Sequence, residues 1–425
     1  MTERRSTRTT VHWRRTLAAG SATLAVAATV VGLRLASAHG NTVPDPPRPA
    51  SASSPSVAPR EASPAVDRVA LGRAIFFDAT LSEPPGTSCA SCHDPARGFA
   101  GNHGSTVGVA RGSRPDHLAR RNTPSVLYLR FVPRFHLHWE EDAPLVDAYG
   151  GFFWDGRTDS LADLTKQPLL EPDEMNNESP AAIAHKVEAA PYAAELRRAL
   201  GDAGDAPEAV LRAVGEAVEA YLVSPEMSPF TSRYDDYVRH QGALTATEAL
   251  GLRLFKDSAK GGCSACHKLN DTLAAPERSL FTDYGYDALA PPRNRALPAN
   301  RDPARFDLGL CQRPDTRYHT DGEQFCGSFR TPSLRNVAVR TAFMHNGAFT
   351  SLRDVVAFYA TRATDPKRWY PHGPAFDDVP ARYREYVNVD KAPYNRQEGE
   401  TPALDEHEVD AIVAFLGTLT DAAFR

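Results

Sequence analysis

Apolar residues fall at helical spacing in two matched stretches of the chain. In Val69-Ala70-Leu71-Gly72-Arg73-Ala74-Ile75-Phe76-Phe77-Asp78 and again in Ala249-Leu250-Gly251-Leu252-Arg253-Leu254-Phe255-Lys256-Asp257, a Leu-Gly pair leads to a Phe and then an Asp. The pattern predicts a helix in each stretch and an internal repeat. Thr245 followed by Glu248 is a capping box that starts the second helix. Two more stripes close the halves. Val210, Leu211, Val214, Val218 and Leu222 follow Pro207, which a first helical turn tolerates; Ile412, Val413, Phe415, Leu416 and Leu419 follow Asp405 and Glu408. Ser351 caps a further helix on which Leu352, Val355, Val356 and Tyr359 share a face. Strand signals are few, so the expected fold is mainly α and loop-rich, with little β.

Each opening helix leads into the same pentapeptide, Cys89-Ala90-Ser91-Cys92-His93 and Cys263-Ser264-Ala265-Cys266-His267. In C-x-x-C-H the two thiols are spaced to add across the vinyl groups of a haem, and the histidine turns its imidazole onto the iron. One C-x-x-C alone is also compatible with a redox dithiol or half of a zinc site. Two copies, each ending in His, favour two covalent c-type haems. Helix, haem motif, long loops and closing helix describe a small cytochrome c-like domain used twice, over residues 66–242 and 243–425. The Gly- and Pro-rich connections 98–124 and 283–305 show little periodicity, and haem contacts are expected to order them in place of sheet ladders.

A chain of 425 residues with 42% hydrophobic content is long enough for two cored domains. Residues 1–38 hold six Arg against one Glu, a net of +5, which leaves −10 on the rest of a chain whose total is −5. That balance leaves nothing basic to grip nucleic acid and suits basic or dipolar electron-donor proteins. The first segment reads as an export signal: five Arg by position 15, an apolar run from Leu17 to Leu33, and the small-x-small site Ala36-Ser37-Ala38. Cleavage after Ala38 is expected, with an uncleaved membrane anchor as the alternative. Residues 39–65, dense in Pro, Ser and Ala, read as a flexible tether. The expected location is the periplasm.

Leu71-Gly72 through Asp78, Cys89 to His93, Arg121-Asn122-Thr123-Pro124-Ser125, Phe153-Trp154-Asp155-Gly156-Arg157, Pro168, Glu174-Met175, Cys263 to His267 and Pro332-Ser333-Leu334-Arg335-Asn336-Val337 resemble, in order, the motifs of the bacterial di-haem cytochrome c peroxidase and MauG superfamily. The resemblance covers nearly everything after the tether. It implies that an N-terminal haem handles hydrogen peroxide, that a C-terminal haem relays electrons, and that a calcium ion lies between them. Peroxide chemistry needs an open position on one iron, an acid–base group and an electron route. By the resemblance, Glu174 is the distal acid–base group with Pro168 packed over the same face, and Trp154 is the relay between haems. Taken alone, Glu174 reads as part of a solvated acidic loop and Trp154 as a packing aromatic. Arg157 is open to a haem propionate or to Asp155 or Asp159. Where classical members hold a second histidine on the first iron, this chain has Val109, which implies a five-coordinate haem; His103 and His117 lie in the same loop.

The resemblance also assigns calcium to Asn122 and to the carbonyls of Arg340 and Ala342, although the usual Thr-x-Pro is missing there. The sixth ligand of the second haem falls on Tyr359, fourteen residues beyond His345 of His345-Asn346-Gly347. Classical peroxidases hold methionine at that place and MauG-type proteins tyrosine; Met344 is the competing ligand and plain core packing of Tyr359 the third reading. Cys311 and Cys326, an even pair left over in an exported protein, are expected to form a disulfide. The function so read is peroxide reduction with electrons from a small cytochrome c or cupredoxin. The alternatives are MauG-type oxidation of residues on a protein substrate, and a non-catalytic electron carrier. A homodimer stays open.

Overall fold

Glycine decides where the helices of each half cross. The structure, a computed structural model, describes residues 66–139, 147–269, 279–314 and 322–425, so the expected export signal 1–38 and tether 39–65 lie outside the described residues. The helices are α1 (Arg68–Phe76), α2 (Cys89–Cys92), α3 (Leu161–Leu170), α4 (Pro180–Glu188), α5 (Ala193–Leu200), α6 (Pro207–Leu222), α7 (Arg233–Val238), α8 (Ala246–Lys256), α9 (Leu352–Thr361), α10 (Pro366–Trp369) and α11 (Glu406–Gly417). Two short antiparallel pairs, β1 (His136–His138) with β2 (Asp147–Tyr149) and β3 (Tyr286–Asp287) with β4 (Phe329–Arg330), are the strands among the described residues.

Helix α1 crosses α6 where a Cβ on Gly72 would stand 1.8 Å from the Ala217 carbonyl oxygen, and α8 crosses α11 where one on Gly251 would stand 1.9 Å from that of Ala411. Only a residue without a side chain permits so close an approach. One turn further on, Phe76 meets Tyr221 edge-on at 5.5 Å and Phe255 meets Phe415 at 5.3 Å. Each crossing seeds a core of its own, with Leu71, Ile75, Val214 and Val218 in one and Leu252, Phe255, Ile412 and Phe415 in the other. Full burial of such side chains is worth about 1.5–3 kcal/mol apiece. The starts follow the sequence signals: Asp67 caps α1, and Thr245–Glu248 and Asp405–Glu408 form capping boxes on α8 and α11.

The described residues form one compact unit, and its cores do not divide at residues 242 and 243. Helix α7, before that boundary, sends Tyr234 and Val238 into the second core, while Phe424 near the C-terminus packs on the first. In one respect the long connections differ from expectation: part of 283–305 is held by the β3–β4 ladder. Asn294 also ties it to the carbonyls of Val107 and Asn346, bonds that satisfy groups buried within the chain.

Candidate active site

Both C-x-x-C-H segments are presented in the same way. In the first, Ser88 and Ser91 form a capping box on α2, and His93 ends it with Nδ1 3.2 Å from the Phe99 carbonyl oxygen. In the second, His267 Nδ1 lies 2.9 Å from the Phe281 carbonyl oxygen. Phe99 and Phe281 both take left-handed φ, 55° and 54°, which turns their carbonyls onto the imidazoles. Ser125 Oγ donates to the Gly98 carbonyl and Ser333 Oγ to that of Leu280, each at 2.6 Å. An Nδ1–H donated to a carbonyl fixes the tautomer and leaves Nε2 free for a metal. Burial pushes the His93 pKa down to about 4 and lowers that of His267, so both imidazoles are neutral, as a ligand must be.

Burial also pushes the thiols of Cys89, Cys92 and Cys263 up to about 12 and Cys266 up to about 11. Reactive dithiols and zinc thiolates need the opposite shift. Among the described residues no three His, Cys, Asp or Glu side chains converge as a metal cluster.

Beside the second segment lies a cavity with about 1410 Å³ of unfilled space, open solvent included. Cys263, Cys266 and His267 line one side. Leu352, Val355, Val356 and Tyr359, the shared face of α9, line another, so that stripe is cavity wall, while the core beneath takes Ala357, Phe358 and Ala360 together with Val356. Met344, whose φ is 64°, lines the same cavity, and so does Trp154. Arg330 and Arg340 add two half-buried cations. Burial lowers both, Arg340 to about 10, and Arg340 Nε has no partner. Such a pair fits a ligand carrying carboxylates.

At the first segment, Glu174 is half-buried and close enough to Cys89 and Cys92 for its charge to act on both thiols. Its carboxyl is pushed up to about 7, chiefly by burial and then by Glu171, against the pull of Arg157. Gly112 lets the chain pass here, since a Cβ would stand 2.4 Å from the Asp173 carbonyl, and the Ser113 amide donates to the Glu174 carbonyl. Pro168 sits inside α3, its carbonyl accepting from the Met175 amide. Val109 is fully buried. His103 is engaged by the Arg111 carbonyl and His117 by Asp173, next to Glu174. Arg157 pairs with Asp155, while Asp159 accepts from the Phe135 amide.

Trp154, Asn122 and Arg340 stand between the two segments. The Trp154 indole N–H donates to the Asn122 carbonyl at 2.8 Å. Arg340 lines the second cavity, donates to the Thr123 carbonyl, and its charge reaches His93. The Asn122 amide lies 3.0 Å from the Ala342 carbonyl and 3.1 Å from that of Met344. Arg121 joins Asp155 at 2.7 Å to Asp307 at 2.6 Å. A disulfide joins Cys311 to Cys326, packed beside Val379 and Tyr383, and leads into Phe329 and Arg330 on the cavity wall.

Residues 66–243 match the family described as di-haem cytochrome c peroxidase. Over 380 residues, 86% of this chain and 92% of the other, the chain is 36% identical to the methylamine utilization protein MauG of Paracoccus denitrificans. The chain belongs to the di-haem cytochrome c peroxidase family. It is also 30% identical to the cytochrome c551 peroxidase of Pseudomonas aeruginosa over 68% of this chain and 70% of that one. The crystal structure of the di-haem peroxidase BthA from Burkholderia thailandensis superposes with a TM-score of 0.79 and 51% identity, covering 85% of this chain and 88% of that one.

Membership makes the chain an oxidoreductase built for two c-type haems, and the donor set above fits them. Three further features belong to the site. The tripeptide Thr-Pro-Ser occurs at 123–125 and again at 331–333, a visible signal that the serines holding the Gly98 and Leu280 carbonyls repeat. The cationic side chain of Arg340 faces the second cavity. Tyr394 also lines that cavity, and nothing around it in sequence marks it.

Proposed function

We propose that this di-haem oxidoreductase is a periplasmic peroxidase that reduces hydrogen peroxide at the haem carried by Cys89, Cys92 and His93, with electrons passing through the haem on Cys263, Cys266 and His267. The observation that carries this reading is Glu174: a half-buried carboxyl facing the first segment, with a pKa of about 7, beside a loop in which buried Val109 occupies the place of a blocking histidine. When bound, the haem irons supply the redox change; one peroxide takes two electrons and two protons to give two waters. Glu174 takes a proton from one peroxide oxygen and returns it to the other, which works best for a group titrating near neutrality. Pro168 and Val109 keep that face apolar. Trp154, on the wall of the second cavity and bonded to Asn122, is the relay. Arg330 and Arg340 hold propionates.

Asn122 with the carbonyls of Arg340 and Ala342 makes a neutral-oxygen site for calcium once its amide turns its oxygen inward, a modest-affinity arrangement without carboxylates. Stoichiometric peroxide should oxidise the haems rapidly, and Glu174→Gln should slow that step by roughly 10²-fold or more. Haems indifferent to peroxide would instead indicate an electron carrier.

Tyr359 supports the MauG-type alternative. A phenolate on the second iron favours ferric and higher-valent states, which suits oxidation of a protein substrate. A tyrosine-to-methionine variant of the Burkholderia thailandensis enzyme has also been crystallised. A peroxide-dependent product on a co-purifying protein would select this reading; steady turnover with a reduced cytochrome c or cupredoxin would select the first.

A further inference from the structure

Tyr394 stands beside Tyr359 in the wall of the second cavity, their ring centroids 5.6 Å apart and inclined by 31°, and the two hydroxyls are close enough for each to act on the other's ionisation. Its placement is over-determined. Arg362, 1% exposed, lies over the Tyr394 ring at 4.1 Å and is itself held by the carbonyls of Leu289 and Asn388. On the other side, Ala392 packs against Gly262, where an added Cβ would meet the Ala392 Cβ at 3.0 Å, so the segment is pinned to the residue before Cys263. The Tyr394 amide closes the turn onto the Lys391 carbonyl at 2.8 Å. A fully buried cation on a tyrosine face draws electron density from the ring and strengthens its hydroxyl as a donor.

We propose that Tyr394 is a positioning residue for the second haem: its hydroxyl hydrogen-bonds the Tyr359 oxygen when that oxygen binds iron, and so sets both the strength of the ligand and the potential of the haem. The proposal rests on Tyr359 being the sixth ligand. A phenolate in an apolar cavity needs a donor for its remaining lone pair, and charge-assisted hydrogen bonds are roughly twice as strong as neutral ones. The donor draws charge from the ligand oxygen, which weakens its preference for ferric iron and raises the potential. Arg362 prevents Tyr394 from turning away, so the bond survives changes of oxidation state.

The test uses the holoprotein with both haems attached, comparing wild type, Tyr394→Phe, Tyr359→Phe and the double variant. Tyr394→Phe keeps the ring under Arg362 and removes only the hydroxyl. Its second haem should move to a lower midpoint potential by about tenfold in the ferric-to-ferrous ratio, 59 mV for one electron. In the Tyr359→Phe background the same change should move nothing. Resonance Raman spectra of the wild type should show an iron–phenolate vibration that shifts in D2O, and Tyr394→Phe should abolish that shift. An unaltered potential together with an unaltered D2O shift in Tyr394→Phe overturns the proposal. If Tyr359→Phe leaves the second haem's spectrum as in wild type, it is the ligand assignment beneath the proposal that fails.

Discussion

Arg335 and Asp235, one hundred residues apart, form a two-pronged ion pair with bonds of 2.9 and 3.0 Å and side chains 1% and 0% exposed. Ser232 donates to the same carboxylate, and the Asp235 pKa is lowered because these donors outweigh burial. Removing one partner of a buried pair leaves the other charged and unsatisfied. Arg335→Met should therefore destabilise the fold by about 3–5 kcal/mol in chemical denaturation. The pH dependence has a sign. The depressed Asp235 pKa contributes stability that is complete above its ordinary value of 3.8 and is lost as pH falls through the folded value. With Arg335 gone, burial raises that pKa, and the variant should gain stability on mild acidification where wild type does not.

Glu174 predicts a pH–rate profile. Only its carboxylate form can accept the peroxide proton, so the rate of haem oxidation by peroxide should rise with pH and level off above about 7. Glu174→Gln should flatten the profile. Arg157 holds this pKa down, so Arg157→Gln should move the midpoint upward; a midpoint that stays put would mean another group titrates.

The sixth ligand is decided by the second haem's potential. Tyr359→Phe should raise it and alter the ferric spectrum, whereas Met344→Leu should leave both near wild type, because a phenolate stabilises ferric iron and a thioether ferrous iron. A high wild-type potential lowered only by Met344→Leu would reverse the assignment.

Gly251→Ala puts a methyl group into the Ala411 carbonyl and should lower the denaturation midpoint by the equivalent of about 1–3 kcal/mol or more. Gly417→Ala, on the helix that Gly251 crosses, meets nothing within 4 Å and should be neutral or stabilising.

What the chain disclosed in advance was whatever repeats or has a period. The crossing helices were legible because Leu71-Gly72 and Leu250-Gly251 repeat one pattern, and the haem sites because C-x-x-C-H carries its own chemistry. Helices α3, α4 and α5 lack a comparable signal, since each is short and gains its apolar partner chiefly from α6. The face of α9 was legible as a stripe, but periodicity reports what is apolar and not what it faces; here that is a cavity. Glu174 became interpretable through a motif, while its raised pKa depends on burial that no local pattern encodes. Tyr394 and the Arg121 link between Asp155 and Asp307 are tertiary facts with no sequence spacing to show them.

Phe424, the next-to-last residue, rests edge-on against Phe99 at 6.2 Å, while Tyr234, before the boundary expected at residues 242 and 243, is enclosed by Phe281 and Phe415. Two copies of one haem unit have thus traded ends. A cut at residue 242 would strip the first copy of its final aromatic and the second of its opening one, so neither piece is a spare part. Each core is closed by a residue from the other half, and Arg121 with Asp307 ties the same two halves together, so exchanging one half for a foreign one would open both cores at once.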